Sequence, residues 1–260
     1  MDHSGSADPS RGVLADAGEL LGRFHRFDAV PPSAELFEPL ADTDRVVQAV
    51  FDDLAGWSLT TTDEDFADAL VQRGATPTRH FSLMSVDLTT SEMTEGHDLP
   101  QFLEVRPLGA DDPVPREVVG LVRSAYPPGH PDEERGTDDD IIRDIRRAQS
   151  GSRLGPLLDQ SAFFFDADRP AAMLLVNRVP GDPPLGGPWV TDICRVPDRR
   201  YAGLGRSMLM RVMRLLREGG ESALSLAVTE GNPARALYES LGFTVVATTL
   251  KVRIPERSHA

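Results

Sequence analysis

Hydrophobic residues recur at helical spacing twice in the first third of the chain, and a strand-like run follows each time. Val46, Val50 and Leu54 fall on one face of a helix, and polar residues fill the other face. Gly74 closes the second helical pattern, as a glycine just beyond the last turn commonly does. The predicted elements of this segment are a helix over residues 44–54, a strand over 57–62, a helix over 63–73 and a strand over 78–88.

A second, longer segment begins at Gln101 and alternates between strand and helix patterns. Leu204, Met208 and Val212 lie on one apolar face of its longest helix. The order of the predicted elements is βααβββαβαβ, which predicts an α/β sandwich with a mixed sheet. The strands are predicted over residues 102–106, 161–165, 171–179, 189–196, 223–228 and 244–253, and the helices over 116–126, 138–148, 204–218 and 233–241.

Polar stretches rich in glycine, serine or proline divide the chain. Residues 1–12 are predicted to form a disordered tail and residues 89–100 a linker, which gives an N-terminal α/β segment over 13–95 and a domain over 101–260. One internal echo connects them, since residues 66–74 and 234–242 both read as a helix, a glycine and then a strand. The pattern is common, so the echo fits a degenerate second copy of one fold and also fits chance.

Composition and charge narrow the classes of function. The 260 residues carry a formal net charge of −14, which argues against general binding to nucleic acid or to an anionic membrane. The single cysteine, Cys194, excludes an intramolecular disulfide framework. No apolar run is long enough to span a bilayer, and the polar start of the chain lacks the order of a secretion signal. We therefore expect a cytoplasmic protein. The six histidines show no metal-binding spacing, so we expect no metal.

The strongest chemical signal is the stretch 197–206, Pro-Asp-Arg-Arg-Tyr-Ala-Gly-Leu-Gly-Arg, between a predicted strand and a predicted helix. Glycines allow a tight turn that exposes consecutive N–H groups at a helix N-terminus, which is suited to a pyrophosphate. The spacing matches neither the P-loop nor the dinucleotide fingerprint. Taken alone, the turn could equally be a strand-to-helix connection that needs glycine.

A second motif follows the next predicted strand, and the two together are specific. The chain resembles the GCN5-related N-acetyltransferase superfamily, whose Arg/Gln-x-x-Gly-x-Gly/Ala loop is matched by Arg200, Gly203 and Gly205. The resemblance covers residues 101–253, and it implies a mixed sheet flanked by helices, with the N-terminal segment as a smaller α/β addition. The second family segment is matched by Asn232, Ala234, Leu237, Tyr238, Gly242 and Phe243.

The resemblance implies acetyl-CoA as cosubstrate and an amine as acceptor. Tyr238 would protonate the leaving thiolate, Asn232 would hold the cofactor arm, and a strand amide near Ile193 could stabilise the oxyanion. The strand edge formed by Ile193, Cys194 and Arg195 would bind the pantetheine arm like an added strand. The pyrophosphate would be held by the loop that contains Arg200, Tyr201, Ala202, Gly203, Leu204, Gly205 and Arg206.

Two departures from the family pattern affect the predicted roles. Asn232 lies six residues before Tyr238, whereas many relatives have asparagine seven residues before it, so the asparagine contact is the weaker of the two. Some relatives carry a glutamate where this chain has Ala227, which cannot accept a proton. Asp192 resembles the acidic position of polyamine-type members. It would deprotonate the amine through water or anchor a cation, and a solvated strand-end acid is the alternative.

The acidic stretch 132–140 and the acceptor leave alternatives open. Thr137 could cap a helix whose dipole the following aspartates favour, or the stretch could be an acidic lid that attracts an ammonium group. Cys194 is expected to be a buried apolar residue and not a nucleophile. We predict an N-acetyltransferase acting on a small or cationic amine, without a nucleic-acid or membrane partner; a homodimer is compatible. The alternatives are a non-catalytic acyl-CoA sensor and an enzyme acting on protein N-termini or lysines.

Overall fold

The computed structural model describes residues 11–27, 31–90, 98–133, 136–152 and 154–257. The chain divides into two units: unit 1 consists of Met1–Phe81 and Ala247–Ala260, and unit 2 of Ser82–Val246. This division differs from the predicted ranges 13–95 and 101–260, because the last strand contributes its second part to unit 1. Residues 1–10 of the predicted tail and residues 91–97 of the predicted linker lie outside the described residues.

The described residues contain eleven strands and six α-helices. The strands are β1 (Arg11–Asp16), β2 (Glu19–Phe27), β3 (Ser33–Pro39), β4 (Ser58–Thr61), β5 (Thr76–Asp87), β6 (Leu103–Pro107), β7 (Ala162–Asp166), β8 (Arg169–Val179), β9 (Gly187–Arg195), β10 (Ala223–Thr229) and β11 (Thr244–Arg253). The helices are α1 (Thr43–Asp53), α2 (Glu64–Arg73), α3 (Val118–Ala125), α4 (Asp138–Gln149), α5 (Leu204–Glu218) and α6 (Ala234–Ser240). The mixed α/β fold predicted from the sequence is confirmed.

Unit 1 is a mixed sheet covered by two helices. Its strand order is β1-β2-β3-β4-β11-β5, in which β3 and β4 are parallel and β4 and β11 are antiparallel. Val46, Val50, Phe66 and Leu70 of α1 and α2 pack with strand residues such as Leu59 in one buried cluster. As predicted, α2 ends at Gly74, which has a left-handed φ of 115°.

Unit 2 is a mixed sheet with helices on both faces. Its strand order is β11-β5-β10-β9-β8-β7-β6. One buried cluster joins α3 and α4 to residues such as Phe163 and Met173, and a second joins α5 and α6 to alternate residues such as Phe164 and Leu174. Because successive side chains of a strand point to opposite faces, this alternation places the two helix pairs on opposite sides of the sheet.

The two units repeat one order of elements. Unit 1 runs β1-β2-β3-α1-β4-α2-β5, and unit 2 runs β7-β8-β9-α5-β10-α6-β11 after an additional β6, α3 and α4. The repeat includes the predicted echo, because α2 with Gly74 corresponds to α6 with Gly242. Unit 1 thus repeats the order of elements of unit 2 without counterparts of β6, α3 and α4, and the degenerate copy stays a prediction.

The sequence pattern predicts every strand and α-helix from α1 onward but not the first three strands. Charged residues interrupt the alternation of β1 to β3, and glycines replace apolar residues at points of close approach. A Cβ atom on Gly22 would lie 2.4 Å from the ring of Phe37, and one on Gly12 would lie 2.2 Å from that of Phe24. These contacts form only between paired strands, so the local sequence does not contain them. Among the described residues, no helix has the length and hydrophobicity needed to cross a membrane.

Candidate functional site

The candidate site of unit 2 begins where strands β9 and β10 separate. Their parallel pairing joins Trp189 to Ser225 and Val190 to Leu226, and stops there. At the same point β9 carries a bulge, because Leu175 of β8 is opposite Asp192 whereas Val176 is opposite Val190. A bulge bends its strand and ends regular pairing. The strand edge after Val190, which includes the predicted Ile193, Cys194 and Arg195, therefore leaves the β10 ladder.

Helix α5 starts just beyond this edge with an uncapped N-terminus. Gly203 precedes it with a left-handed φ of 80°, and no side chain caps the helix. The first backbone bond into the helix is donated by the N–H of Ser207. The N–H groups of Gly203, Leu204, Gly205 and Arg206 have no partner among the described residues. Four consecutive donors at a helix N-terminus form a cradle for an anion.

This cradle is shorter than the sequence motif predicted. The N–H of Arg200 donates to the carboxylate of Asp198 at 2.8 Å, and those of Tyr201 and Ala202 donate to backbone carbonyls of a 3₁₀ turn over Arg199–Tyr201. These three groups are occupied within the loop. The anion-binding role predicted for residues 200–206 is thus available to the backbone of Gly203–Arg206.

The side chains of the same loop are held by one acid at the end of β7. Tyr201 donates its hydroxyl proton to Asp166 at 2.9 Å, and Arg200 forms an ion pair with the same carboxylate at 3.0 Å. The guanidinium of Arg200 also lies 4.6 Å from the ring centre of Phe102. Arg206 instead donates to the hydroxyl of Ser240 in α6. These contacts fix the shape of the turn that presents the cradle.

The two predicted catalytic residues, Tyr238 and Asp192, interact electrostatically. Tyr238 of α6 is only 6% exposed. Burial raises its pKa well above the usual range, and the carboxylates of Asp192 and Asp132 raise it further. No described residue forms a hydrogen bond with the Tyr238 hydroxyl. Its phenol is therefore protonated at neutral pH and is a weaker acid than the free side chain that the sequence analysis assumed.

Asn232 has a different set of contacts from the predicted one. Its amide nitrogen donates to Asp132 at 2.7 Å, and its amide oxygen accepts the N–H of Ala234 at the start of α6 at 2.8 Å. Thr229, the last residue of β10, donates its hydroxyl proton to the same Asp132 at 2.5 Å. Both ends of the Asn232 side chain thus have partners within the chain, and its role toward a cofactor stays a prediction.

Comparison with solved structures identifies the fold. A GCN5-related N-acetyltransferase from Sphaerobacter thermophilus aligns over 98% of this chain and 84% of its own, with a TM-score of 0.60 and 15% sequence identity. The chain therefore has the fold of these GCN5-related N-acetyltransferases. The fold that the resemblance of the two motifs implied is confirmed.

Two further solved structures and one family model are similar to the chain. A tandem GNAT protein from the clavulanic acid biosynthesis pathway aligns over 97% of this chain and 86% of its own (TM-score 0.59, 17% identity). A GCN5-related N-acetyltransferase from Kribbella flavida aligns over 91% and 86% (TM-score 0.56, 17% identity). The family model of FR47-like proteins matches residues 189–252, from β9 to β11. No curated protein matches the chain in sequence.

One residue of the candidate site, Tyr126, was not predicted from the sequence. Tyr126, which ends α3, places its hydroxyl 3.0 Å from Asp192 Oδ1 and 3.1 Å from the carbonyl oxygen of Ile193. It stands immediately before Pro127 and Pro128, where the pattern marked only the end of a helix. An aromatic residue with a polar tip at a helix end is the signal that could have found it.

The acidic stretch separates into two roles. Thr137 forms a capping box with Asp140 at the start of α4, and Asp138 and Asp139 form exposed ion pairs with arginines of the α3 region. The capping interpretation therefore holds for residues 137–140. Asp132 instead accepts the hydroxyl proton of Thr229 at the end of β10, and the lid interpretation stays a prediction. Glu134 lies outside the described residues.

Cys194 packs with its side chain in the cluster under α3 and α4. Burial raises the pKa of its thiol well above the ordinary value, and Asp192 adds to that rise. A protonated, buried thiol is a poor nucleophile, in line with the expected packing role. Within the described parts of the chain, no group of three or more histidine, cysteine, aspartate or glutamate residues is arranged to hold a metal ion.

Proposed function

We propose that unit 2 transfers an acetyl group from acetyl-CoA to a cationic amine by direct attack of the amine on the thioester. The observation that carries this proposal is the uncapped N-terminus of α5 next to the point where β9 and β10 separate. A pyrophosphate on the free N–H groups of Gly203–Arg206 would leave the pantetheine arm beside the open edge of β9. The backbone groups of Ile193 would face that arm, because the Ile193 carbonyl already accepts from Tyr126 and a residue's N–H projects to the same side of a strand.

The residues around this edge supply the remaining chemistry. The N–H of Ile193 could stabilise the oxyanion that forms at the thioester carbonyl. The hydroxyl of Tyr238, kept protonated by burial and by two carboxylates, donates to the sulfur as thiolate develops. Asp192 accepts the ammonium proton through water or binds the ammonium group. The carboxylates of Asp192 and Asp132 favour a cationic acceptor over a neutral one.

The proposal is tested with the full chain, acetyl-CoA and a panel of amines, while free thiol is monitored. The panel contains small amines, polyamines and peptides with a free N-terminus or lysine. We expect thiol release with cationic amines. Tyr238→Phe should lower kcat about 100-fold and leave the KM for acetyl-CoA unchanged.

Tyr201→Phe is the matched control, since it removes a tyrosine hydroxyl that contacts Asp166 away from the proposed reaction centre. It should change the KM for acetyl-CoA more than kcat. Binding of acetyl-CoA without thiol release for any amine would favour the sensor interpretation. No binding of acetyl-CoA in calorimetry would overturn the cofactor assignment.

A further inference from the structure

Tyr126 lies at the centre of a set of polar contacts on the acceptor side of the site. Its hydroxyl has two acceptors at nearly equal distances, Asp192 Oδ1 at 3.0 Å and the Ile193 carbonyl at 3.1 Å. A phenol has one proton, so it donates to one of them at a time. The charged acceptor is favoured when Asp192 is ionised, and the carbonyl is available when Asp192 carries a proton.

The ring of Tyr126 is held by the segment that follows it. His130 packs edge-on at 5.3 Å between ring centres, and its Nδ1 accepts the N–H of Asp132 at 3.0 Å. Asp132 in turn accepts from Thr229 and Asn232. A continuous series of contacts within unit 2 thus runs from the bulged part of β9 to the end of β10. Within this series, Tyr126 donates directly to Asp192.

We propose that Tyr126 is a positioning residue that holds the carboxylate of Asp192 toward the acceptor amine. The inference rests on the proposed function and adds a role that neither motif contains. By donating to ionised Asp192, the hydroxyl restricts the rotation of the carboxylate and favours its charged form. When Asp192 accepts a proton during turnover, the hydroxyl turns to the Ile193 carbonyl, so that neither group loses all of its partners.

Three groups that interact with Asp192 bear on what a pH measurement would report. Tyr126 from α3, Tyr238 from α6 and Cys194 from β9 itself interact electrostatically with its carboxylate. All three stay neutral through the acidic range, because burial raises each of their pKa values. The acid limb of kcat/KM is therefore expected to follow the ionisation of Asp192.

Tyr126→Phe tests the inference without removing the ring that packs on His130. With the best acceptor of the amine panel, we expect the acid limb of kcat/KM to move to higher pH by about 0.5 to 1 unit, because the carboxylate loses a donor. The KM for acetyl-CoA should stay unchanged. Tyr201→Phe, which removes a similar hydrogen bond to Asp166, should leave the limb in place.

A double-mutant cycle separates the positioning role from general destabilisation. Asp192→Asn should remove the acid limb and lower kcat/KM about 100-fold, and adding Tyr126→Phe should cost little more. Additive losses, or an acid limb that Tyr126→Phe does not move, would overturn the inference. If Asp192→Asn itself changes nothing, then the role given to Asp192 in the proposed function fails.

An activity-independent measurement covers the case in which no amine is acetylated. The chain has three tyrosines, so ¹³Cζ-labelled tyrosine gives three resonances that single Tyr→Phe variants assign. In the unliganded protein, Asp192→Asn should lower the pKa of Tyr126 toward its usual value, since burial and then Asp192 raise it. A Tyr126 titration that is insensitive to Asp192→Asn contradicts the contact and the inference together.

Discussion

Units 1 and 2 each contain two parallel strands that are joined through a helix and separate part-way along their length. The two units differ in the residues found where the strands separate. In unit 1, β3 and β4 pair at Ser33–Ser58 and Ala34–Leu59 and then separate at a bulge, as β9 and β10 do in unit 2. The difference is what stands at the separation and at the start of the next helix. The same order of strands and helices thus occurs once with side chains filling the space between the separated strands and once with that space open.

In unit 1 the separation is filled by side chains. Thr60 donates to Glu35 at 2.7 Å and accepts the N–H of Leu36 at 2.8 Å, and Lys251 donates to Glu35 at 2.9 Å. Thr61 donates to the carbonyl of Phe37. The groups that an added cofactor strand would use in unit 1 are therefore already hydrogen-bonded.

The N-termini of α1 and α5 differ in the same way, because side chains occupy the first and leave the second open. In α1, Asp42 is the N-cap and its carboxylate accepts the N–H of Arg45, with Asp44 adding a second acid in the first turn. In α5, Gly203 is the N-cap and no acid is present in the first turn. A carboxylate at the cap takes the donors and repels an anion, so of these two helices α5 has the N-terminus that is open to an anion.

The largest effect is expected when an aspartate N-cap like that of α1 is introduced at the N-terminus of α5. Gly203→Asp places a carboxylate over the free N–H groups of α5, where a Cβ atom has open space. We expect the Kd for CoA to rise at least about 100-fold, since two close charges at a protein surface repel by a few kcal/mol. Isothermal titration calorimetry measures the change.

Gly203→Asn is the matched control, because asparagine tolerates the left-handed φ and can cap the helix without the charge. It should weaken CoA binding by no more than about 10-fold. Equal losses for the two variants would show that space, and not charge, distinguishes the two helix ends.

A smaller effect is expected when one of the side chains that fill the separation of β3 and β4 in unit 1 is replaced. Lys251 is the only lysine of the chain, and its removal in Lys251→Met leaves the Glu35 carboxylate without its cation. We expect the free energy of unfolding to fall by about 2 kcal/mol in urea denaturation, below the full cost of breaking a buried pair because both side chains are partly exposed. Arg45→Met, which breaks the exposed pair with Glu19, should cause no measurable change. Similar losses in both variants would contradict the structural role of the pair.

The interactions of the Glu35 carboxylate should also make the free energy of unfolding depend on pH. We expect this change to be smaller than the loss in Lys251→Met. Burial alone would raise the pKa of Glu35, but Lys251 and the hydroxyls of Ser33 and Thr60 outweigh it and hold the pKa below the ordinary 4.5. A lowered folded-state pKa stabilises the fold above pH 4.5, and that contribution is lost as pH falls through the folded value. Unfolding curves between pH 6 and 3 should therefore converge for the wild type and Glu35→Gln. A constant gap between the curves would speak against this ionisation.

The comparison also explains what the sequence could reveal. The helices and the second-half strands follow from periodicity. The two glycine-containing motifs indicate the fold, because the positive φ at Gly203 favours glycine. The shared plan of the units shows in sequence only as the echo around Gly74 and Gly242. The parallel pairing and the bulge that repeat in both units have no local signature, because they depend on which strands meet.

The sequence predicted individual residues of the candidate site but not the contacts between them. Tyr238 and Asp192 come from the motifs, and the structure brings them near each other. Tyr126 and Asp132 lie 66 and 97 residues before the groups they contact, Asp192 and Thr229. Contacts over such separations arise from the packing of α3 against the sheet and leave no spacing to recognise.

The smallest predicted effect concerns the cap of α1 itself. Asp42→Ala removes the acceptor for the N–H of Arg45 and should lower the free energy of unfolding by about 1 kcal/mol, as the loss of an N-cap commonly does. Thr43→Ala, one residue into the helix, should have less effect. The informative measurement is CoA binding by Asp42→Ala in a Gly203→Asp background, where binding by unit 2 is weakened at least about 100-fold. We expect no recovery of binding, because Glu35, Thr60 and Lys251 still fill the separation of β3 and β4. Recovered binding would mean that the cap alone distinguishes the units, and that the filled separation is only a packing feature.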